Sequence, residues 1–292
     1  MGVDGSGKPV EHAETPTLKV VCTPIGNLAD MTARAVDALR SASIILAEDT
    51  RVSRKLLDHY NVHGRLVSCH QKNELARWDM VREEIAHGRH VALVSDAGAP
   101  GVSDPGARLV DRAREARIPI EVLPGPSAVV AAVMGAGIDT SRFSFFGFLP
   151  KKGRARREAI ENTLDGGLAL IFFESPNRIE STLEELAANY AGRRVVVARE
   201  LTKRFETFHR GFLGQELDPP LITKGEMVVL VEAGKNKGAT DANPAAIAER
   251  VRELASDSSL TPRNRAKVLV KEFGIDSKEA YALFLKDKNT NE

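Results

Sequence analysis

Residues 90–94, His-Val-Ala-Leu-Val, form a short apolar run that empties into a loop of glycines, prolines and aspartates, SDAGAPGVSDPG at 95–106. The run reads as a buried strand. Asp104 is placed to accept backbone N–H groups as an N-cap and Pro105 suits the first helical position, so a helix is expected over 107–116. Strand, loop and helix together are the repeating unit of a parallel sheet, and ligands of open α/β sheets sit beyond the carboxyl ends of the strands. A loop without bulky side chains lets a ligand reach the backbone. The same residues also suit a tight connection with helix caps, and composition alone does not separate the two.

The alternation recurs along the first half. Strands are expected at 18–23, 43–47, near 66–68 and at 120–123. Helices are expected after 32, with Ala35, Val36 and Leu39 on one face, after Glu48-Asp49-Thr50-Arg51 to about Tyr60, and near 75–87. A second small-residue loop, Pro124-Gly125-Pro126-Ser127, leads into an apolar helix from Ala128. The reading is a mostly parallel sheet with helices on both faces. A dinucleotide fold places several glycines after its first strand, and between 24 and 32 only Gly26 is present, which disfavours NAD or a Rossmann-type methyltransferase. Residues 2–9 imitate a phosphate-binding P-loop, but Pro9 replaces the hydroxyl that magnesium needs and no strand precedes it.

Four of the eleven phenylalanines, Phe143, Phe145, Phe146 and Phe148, crowd together and read as a core strand in preference to an RNA-stacking platform. Lys151, Lys152, Arg154, Arg156 and Arg157 follow without an acid among them, either as a solvated loop or as a phosphate-binding cluster. Strands at 168–173, 194–198, 206–211 and 226–232, with a helix carrying Ile179, Leu183 and Leu186, describe a second α/β domain with a mixed sheet. Beyond a polar stretch the pattern turns wholly helical, with N-cap candidates at Asn243, Thr261 and Asp276. Its last two helices look like a helix-turn-helix, or like a docking or dimer-stabilising module. The expected organisation is a disordered leader at 1–16, a parallel α/β domain at 17–125, a mixed α/β domain at 126–234, a linker at 235–242 and a helical module at 243–292.

A chain of 292 residues with 42% hydrophobic content supports two cores. Its formal charge of +1 leaves any attraction to an anionic partner to local clusters. Cys22 and Cys69 lack metal-ligand or disulfide spacing, which argues against zinc and suits a reducing cytoplasm. The apolar run at 128–138 is too short to span a membrane.

Six motifs stand in order between 19 and 234: TPIGNLADMT at 23–32, AEDTR at 47–51, SDAGAPGVSDPG at 95–106, LPGPSA at 123–128, FFESPNRI at 172–179 and GEMVVLVEAG at 225–234. Together they resemble the bacterial ribosomal RNA small subunit methyltransferase I family, a branch of the tetrapyrrole methylase superfamily with the class III methyltransferase fold. Ala99 stands where many members carry threonine. The resemblance implies S-adenosylmethionine in a cleft between the two domains and methyl transfer to the ribose 2′-hydroxyl of a cytidine in the decoding region of 16S rRNA, on the 30S subunit or naked RNA. It also implies a homodimer. By motif position, Ile25, Asp96, Ala99, Ser127, Ala128, Phe173, Leu201 and Glu226 or Met227 would line the cofactor site.

Methyl transfer from a sulfonium is an in-line displacement, so catalysis comes largely from positioning in a dry cleft, without a metal. A general base adds roughly 10²–10⁴-fold. Asp49, Asp96 and Glu174 are candidates at strand ends, as is Lys203 if burial depresses its pKa. For Asp49 and Glu174 the alternative is helix capping or a salt bridge. Two rival readings share the scaffold: a corrinoid or tetrapyrrole C-methyltransferase, and a non-catalytic RNA-binding protein. The 151–157 cations and the helical tail favour RNA, and the intact strand-end loops favour an enzyme.

Overall fold

A computed structural model describes residues 15–233, 244–257, 260–273 and 277–285. Residues 1–14, with the P-loop imitation and nearly all of the expected leader, lie outside the described residues. So do the expected linker and the turn at 274–276. The chain divides into two compact units, one of residues 1–135 with 198–207 and the other of 136–197 with 208–292. The division thus falls beyond Gly125. The reason is local: Gly125 is built into the first unit, where a Cβ on it would lie 2.9 Å from the Cys22 Cβ.

The first unit holds five parallel strands, β1 (Leu18–Val21), β2 (Ala42–Ala47), β3 (Arg65–Ser68), β4 (His90–Val94) and β5 (Ile120–Leu123), in the order β3-β2-β4-β1-β5. Because side chains alternate along a strand and both faces of the inner strands β2, β4 and β1 are covered, these read as largely apolar runs. Val21, Ile45 and Ala92 belong to one core with residues of α1 (Ala33–Ser41) and α2 (Thr50–His59). Leu18, Leu46, Val91 and Leu93 belong to another with residues of α3 (Trp78–Ala86) and α4 (Ala107–Glu115). The helix starts follow from side-chain caps: Thr32 Oγ1 accepts from Ala35 N at 3.2 Å, and Asp49 Oδ1 from Arg51 N at 2.8 Å. The apolar helix expected from Ala128 is α5 (Ala128–Ala136).

The second unit holds the mixed sheet, β6 (Phe143–Phe148), β7 (Ala169–Glu174), β8 (Arg194–Arg199), β9 (Thr207–Phe212) and β10 (Met227–Val231), in the order β6-β7-β10-β8-β9. β7 runs parallel to β6 and antiparallel to β10. Leu170, Phe172, Val197 and Val229 form its core with residues of α6 (Arg154–Leu164) and α7 (Ile179–Tyr190). The phenylalanine strand departs from expectation. β6 is an edge strand with a bulge between Phe145 and Phe148, and Phe143, Phe146 and Phe148 are exposed. α8 (Pro244–Ser256), α9 (Pro262–Phe273) and α10 (Ser277–Leu285) share a small core of Leu254, Ala266, Leu269, Ala280 and Phe284. Among the described residues, no helix is long and apolar enough to cross a membrane.

Candidate active site

In the first sheet β4 and β1 are neighbours, and their onward connections leave toward opposite edges, to β5 and to β2. Such a switch point opens a crevice at the carboxyl ends of the strands. The loops after β1 and β4 meet there. Thr23 and Gly98 exchange backbone hydrogen bonds of 2.9 and 3.0 Å, and Thr23 Oγ1 donates to the Ser95 carbonyl at 3.1 Å. Gly98 has φ +82°, and a Cβ on it would approach Ile25 Cγ2 to 3.3 Å and the Pro126 carbonyl to 3.8 Å. Asn27 N donates to Thr202 Oγ1 at 3.1 Å, and a Cβ on Gly26 would lie 2.5 Å from Lys203 Cγ and 3.0 Å from the Leu201 carbonyl. These contacts bring Ile25, Asp96, Ala99, Ser127, Ala128 and Leu201 to one end of the first sheet. Ile25 and Leu201 are buried there.

The electrostatics at that end are acidic. Asp96 Oδ1 accepts from Asp49 N at 2.9 Å. Burial, with Asp104, Asp96 and Asp49 nearby, raises the Glu48 carboxyl above its ordinary value. Burial also raises Asp104, against a hydrogen bond to the Ser95 side chain, and Asp96 adds to the rise. Asp104 is therefore turned toward Ser95 and does not cap α4. The N-cap is Gly106, whose amide donates to Glu74 Oε2 at 2.8 Å.

The base candidates are each engaged. Arg51 pairs with Asp49 at 2.6 Å and, with the Arg51 amide, lowers that carboxyl to about 2, which makes it a helix cap and a poor proton acceptor. Lys203 pairs with Glu200 at 3.0 Å. In the second unit the buried Glu174 accepts from Ser175 N at 2.9 Å and Thr182 Oγ1 at 2.8 Å, with Arg178 at 3.3 Å. Ion pairing and local hydrogen bonds therefore occupy it, and helix capping does not, since the N-cap of α7 is Arg178 with no side-chain cap bond.

Glu174 stands opposite Met227 in the β7–β10 register, and Phe173 opposite Val228. The structure thus groups Phe173, Met227 and the exposed Glu226 at one end of the second sheet. The ring of Phe173 meets those of Phe145 and Phe148 edge-on, with centroids at 5.0 and 5.6 Å.

Of the five cations, Lys151 and Lys152 lie on an exposed bend, while Arg154, Arg156 and Arg157 belong to α6. Arg154 opens α6 and pairs with Glu158 at 2.6 Å. Arg156 is corrected outright: only 3% of it is exposed, and its guanidinium donates to Glu185 at 2.7 Å, Thr182 Oγ1 at 3.1 Å and the Pro150 carbonyl at 3.1 Å. Lys151, Lys152 and Arg157 are exposed. The missed residue in the first unit is Glu74, and its only local signal is an acid at the start of a helix-like stretch.

Residues 17–217 match the family described as Tetrapyrrole (Corrin/Porphyrin) Methylases. The chain is 40% identical to the "Ribosomal RNA small subunit methyltransferase I" of Neisseria meningitidis serogroup B, covering 94% of each chain. It is 42% identical to the protein of that name from Halalkalibacterium halodurans, over 76% of this chain and 77% of the other. Among solved structures, the methyltransferase CobJ superposes with a TM-score of 0.56 at 24% identity, covering 75% of this chain and 95% of that one. The cobalt precorrin-4 methyltransferase CbiF gives 0.54 at 18% identity, covering 76% and 97%. Both share the fold.

Proposed function

The chain belongs to the tetrapyrrole methylase family and to its ribosomal RNA small subunit methyltransferase I branch, and on that premise we propose that it methylates the 2′-hydroxyl of a cytidine in the decoding region of 16S rRNA. The methyl donor is S-adenosyl-L-methionine. The observation that carries the cofactor assignment is the junction of the 23–30 and 95–106 loops at the β4–β1 switch point, where a Cβ on Gly98 would fill the space beside Ile25 and Pro126. The residues suit such a group. Ile25 and Leu201 offer apolar surface for a purine, and Asp96 uses one oxygen on Asp49 N and has the other for a ribose hydroxyl. Backbone at Ala99, Ser127 and Ala128 supplies further polar contacts. Phe173, Glu226 and Met227 are the cofactor candidates of the second unit.

When bound, the sulfonium supplies an electrophilic methyl group. The protein's own contribution is then to hold the ribose oxygen in line and to exclude water, an effect worth up to ~7–11 kcal/mol in well-oriented systems. Asp49, Glu174 and Lys203 are each committed to another interaction and Asp96 is given to the cofactor ribose, so positioning supplies most of the rate and the proton of the 2′-hydroxyl leaves to solvent at the mouth of the crevice. Lys151, Lys152 and Arg157 bind rRNA phosphates, which sets register without selecting bases. The working assembly is a homodimer on the 30S subunit or naked 16S rRNA.

The test incubates the protein with labelled S-adenosylmethionine and, separately, 30S subunits, naked 16S rRNA and a precorrin. Label in either RNA arm supports the proposal. Label in the precorrin alone overturns it in favour of a C-methyltransferase.

A further inference from the structure

Glu74 opens the 3-10 turn Glu74–Arg77 ahead of α3, and only 2% of it is exposed. A carboxylate so buried is costly unless donors meet its oxygens. Both are met at the start of α4: Oε2 accepts the Gly106 amide at 2.8 Å, and Oε1 lies 3.4 Å from Arg108 Nε. The positive end of the helix adds to the attraction.

The turn that presents Glu74 is itself fixed. Asn73 Oδ1 accepts from His70 N at 2.7 Å, and Arg77 Nε donates to the Ser68 carbonyl at 2.8 Å. On the receiving side, Gly106 has φ +123°, and a Cβ there would come within 2.8 Å of Leu93 Cδ2. This position therefore excludes a side chain that would cap the helix for itself, and the cap comes from a residue 32 positions upstream.

The loop between β4 and α4 is tied at its near end by the Thr23–Gly98 pair and at its far end by Glu74. Between the ties its backbone bonds are local, Val102 N to the Ala99 carbonyl at 3.2 Å and Gly101 N to the Pro105 carbonyl at 3.1 Å. Gly98, Gly101, Ser103 and Gly106 all have positive φ, so the loop has little conformational preference of its own for this path. We infer that Glu74 is a positioning residue which, through the Gly106 amide, holds the 99–106 segment and with it Ala99 in the conformation that takes S-adenosylmethionine. This rests on the reading of that loop as the cofactor site.

The test compares the full-length parent with Glu74→Gln and Glu74→Ala by amide exchange without cofactor, by titration calorimetry with S-adenosylmethionine, and by methylation kinetics. Alanine removes the acceptor, whereas glutamine keeps a neutral oxygen for the Gly106 amide. In Glu74→Ala, exchange confined to 99–106 and the cofactor Kd should both rise about tenfold, and in Glu74→Gln about threefold. The kcat at saturating cofactor should stay within about twofold of the parent, because the chemical groups are untouched. Parental exchange and Kd in Glu74→Ala overturns the inference, as does faster exchange spread over the whole chain, the mark of a merely structural role. If Glu74→Ala does not fold, Glu74→Gln decides by the same criterion. A parent that binds no S-adenosylmethionine overturns the cofactor reading instead, and the exchange pattern then decides the role of Glu74 alone.

Discussion

Four carboxylates crowd the strand ends of the first unit, and they are held on unequal terms. Asp49 is satisfied by Arg51 and titrates at about 2, whereas burial and its acidic neighbours raise Glu48. A carboxyl raised in the folded state binds its proton more tightly there, so its ionisation costs stability as pH rises through the folded value. Glu48→Gln should therefore melt above the parent at pH 7, and the two curves should converge as pH falls to about 4, near the free carboxyl value. A melting difference that does not change with pH would contradict this. None of these environments is legible in AEDTR or SDAGAPGVSDPG as strings. The motifs locate the residues, but which aspartate caps a helix depends on partners distant in sequence. Asp104 reads as the cap of α4 because capping preferences are local, while the observed acceptor is Glu74.

At the scale of elements, α6 shows how a charge run misleads when its helical phase is ignored. Arg156, Ile160, Thr163 and Leu164 are the buried residues of this helix, and their spacing is that of one inward face. That signal is in the sequence, since Ile160 and Leu164 point back to position 156. The run therefore divides into a structural arginine and exposed cations. Arg156→Ala should cost about 2 kcal/mol of stability by stranding its hydrogen-bond partners. Changing Lys151, Lys152 and Arg157 together to alanine should leave the melting temperature in place and lessen the slope of log affinity for single-stranded rRNA against log salt by about 0.7 for each phosphate no longer neutralised. An unchanged slope would make these three an ordinary solvated surface. The three inner strands of the first sheet, β2, β4 and β1, are readable because both of their faces are buried. β6 is not, because an edge strand with exposed phenylalanines carries the same letters as a core strand.

At the scale of the whole molecule, two α/β units and a helical tail follow from the alternation of strand and helix along the chain. The place of division does not, because all but the last residue of α5 stays with the first unit and residues 198–207 return to it, a property of three-dimensional packing. The first unit also exposes Val122 on the edge strand β5, and Val130 and Met134 on one face of α5, Met134 to 81%. We propose that these open apolar side chains belong to the face on which two copies pair. Light scattering should give twice the 31.7 kDa chain mass, and Met134→Lys should shift it toward that of one chain; a parent that is monomeric at micromolar concentration would contradict the proposed homodimer. The central claim, methylation of a ribose oxygen in 16S rRNA, is tested most directly by the alkali sensitivity of the labelled product. A 2′-O-methyl group removes the nucleophile that alkali needs to cleave the adjacent phosphodiester. The account predicts that label from S-adenosylmethionine is recovered after alkaline hydrolysis in a resistant dinucleotide whose 5′ residue is 2′-O-methylcytidine. Label recovered in a mononucleotide methylated on its base would contradict it.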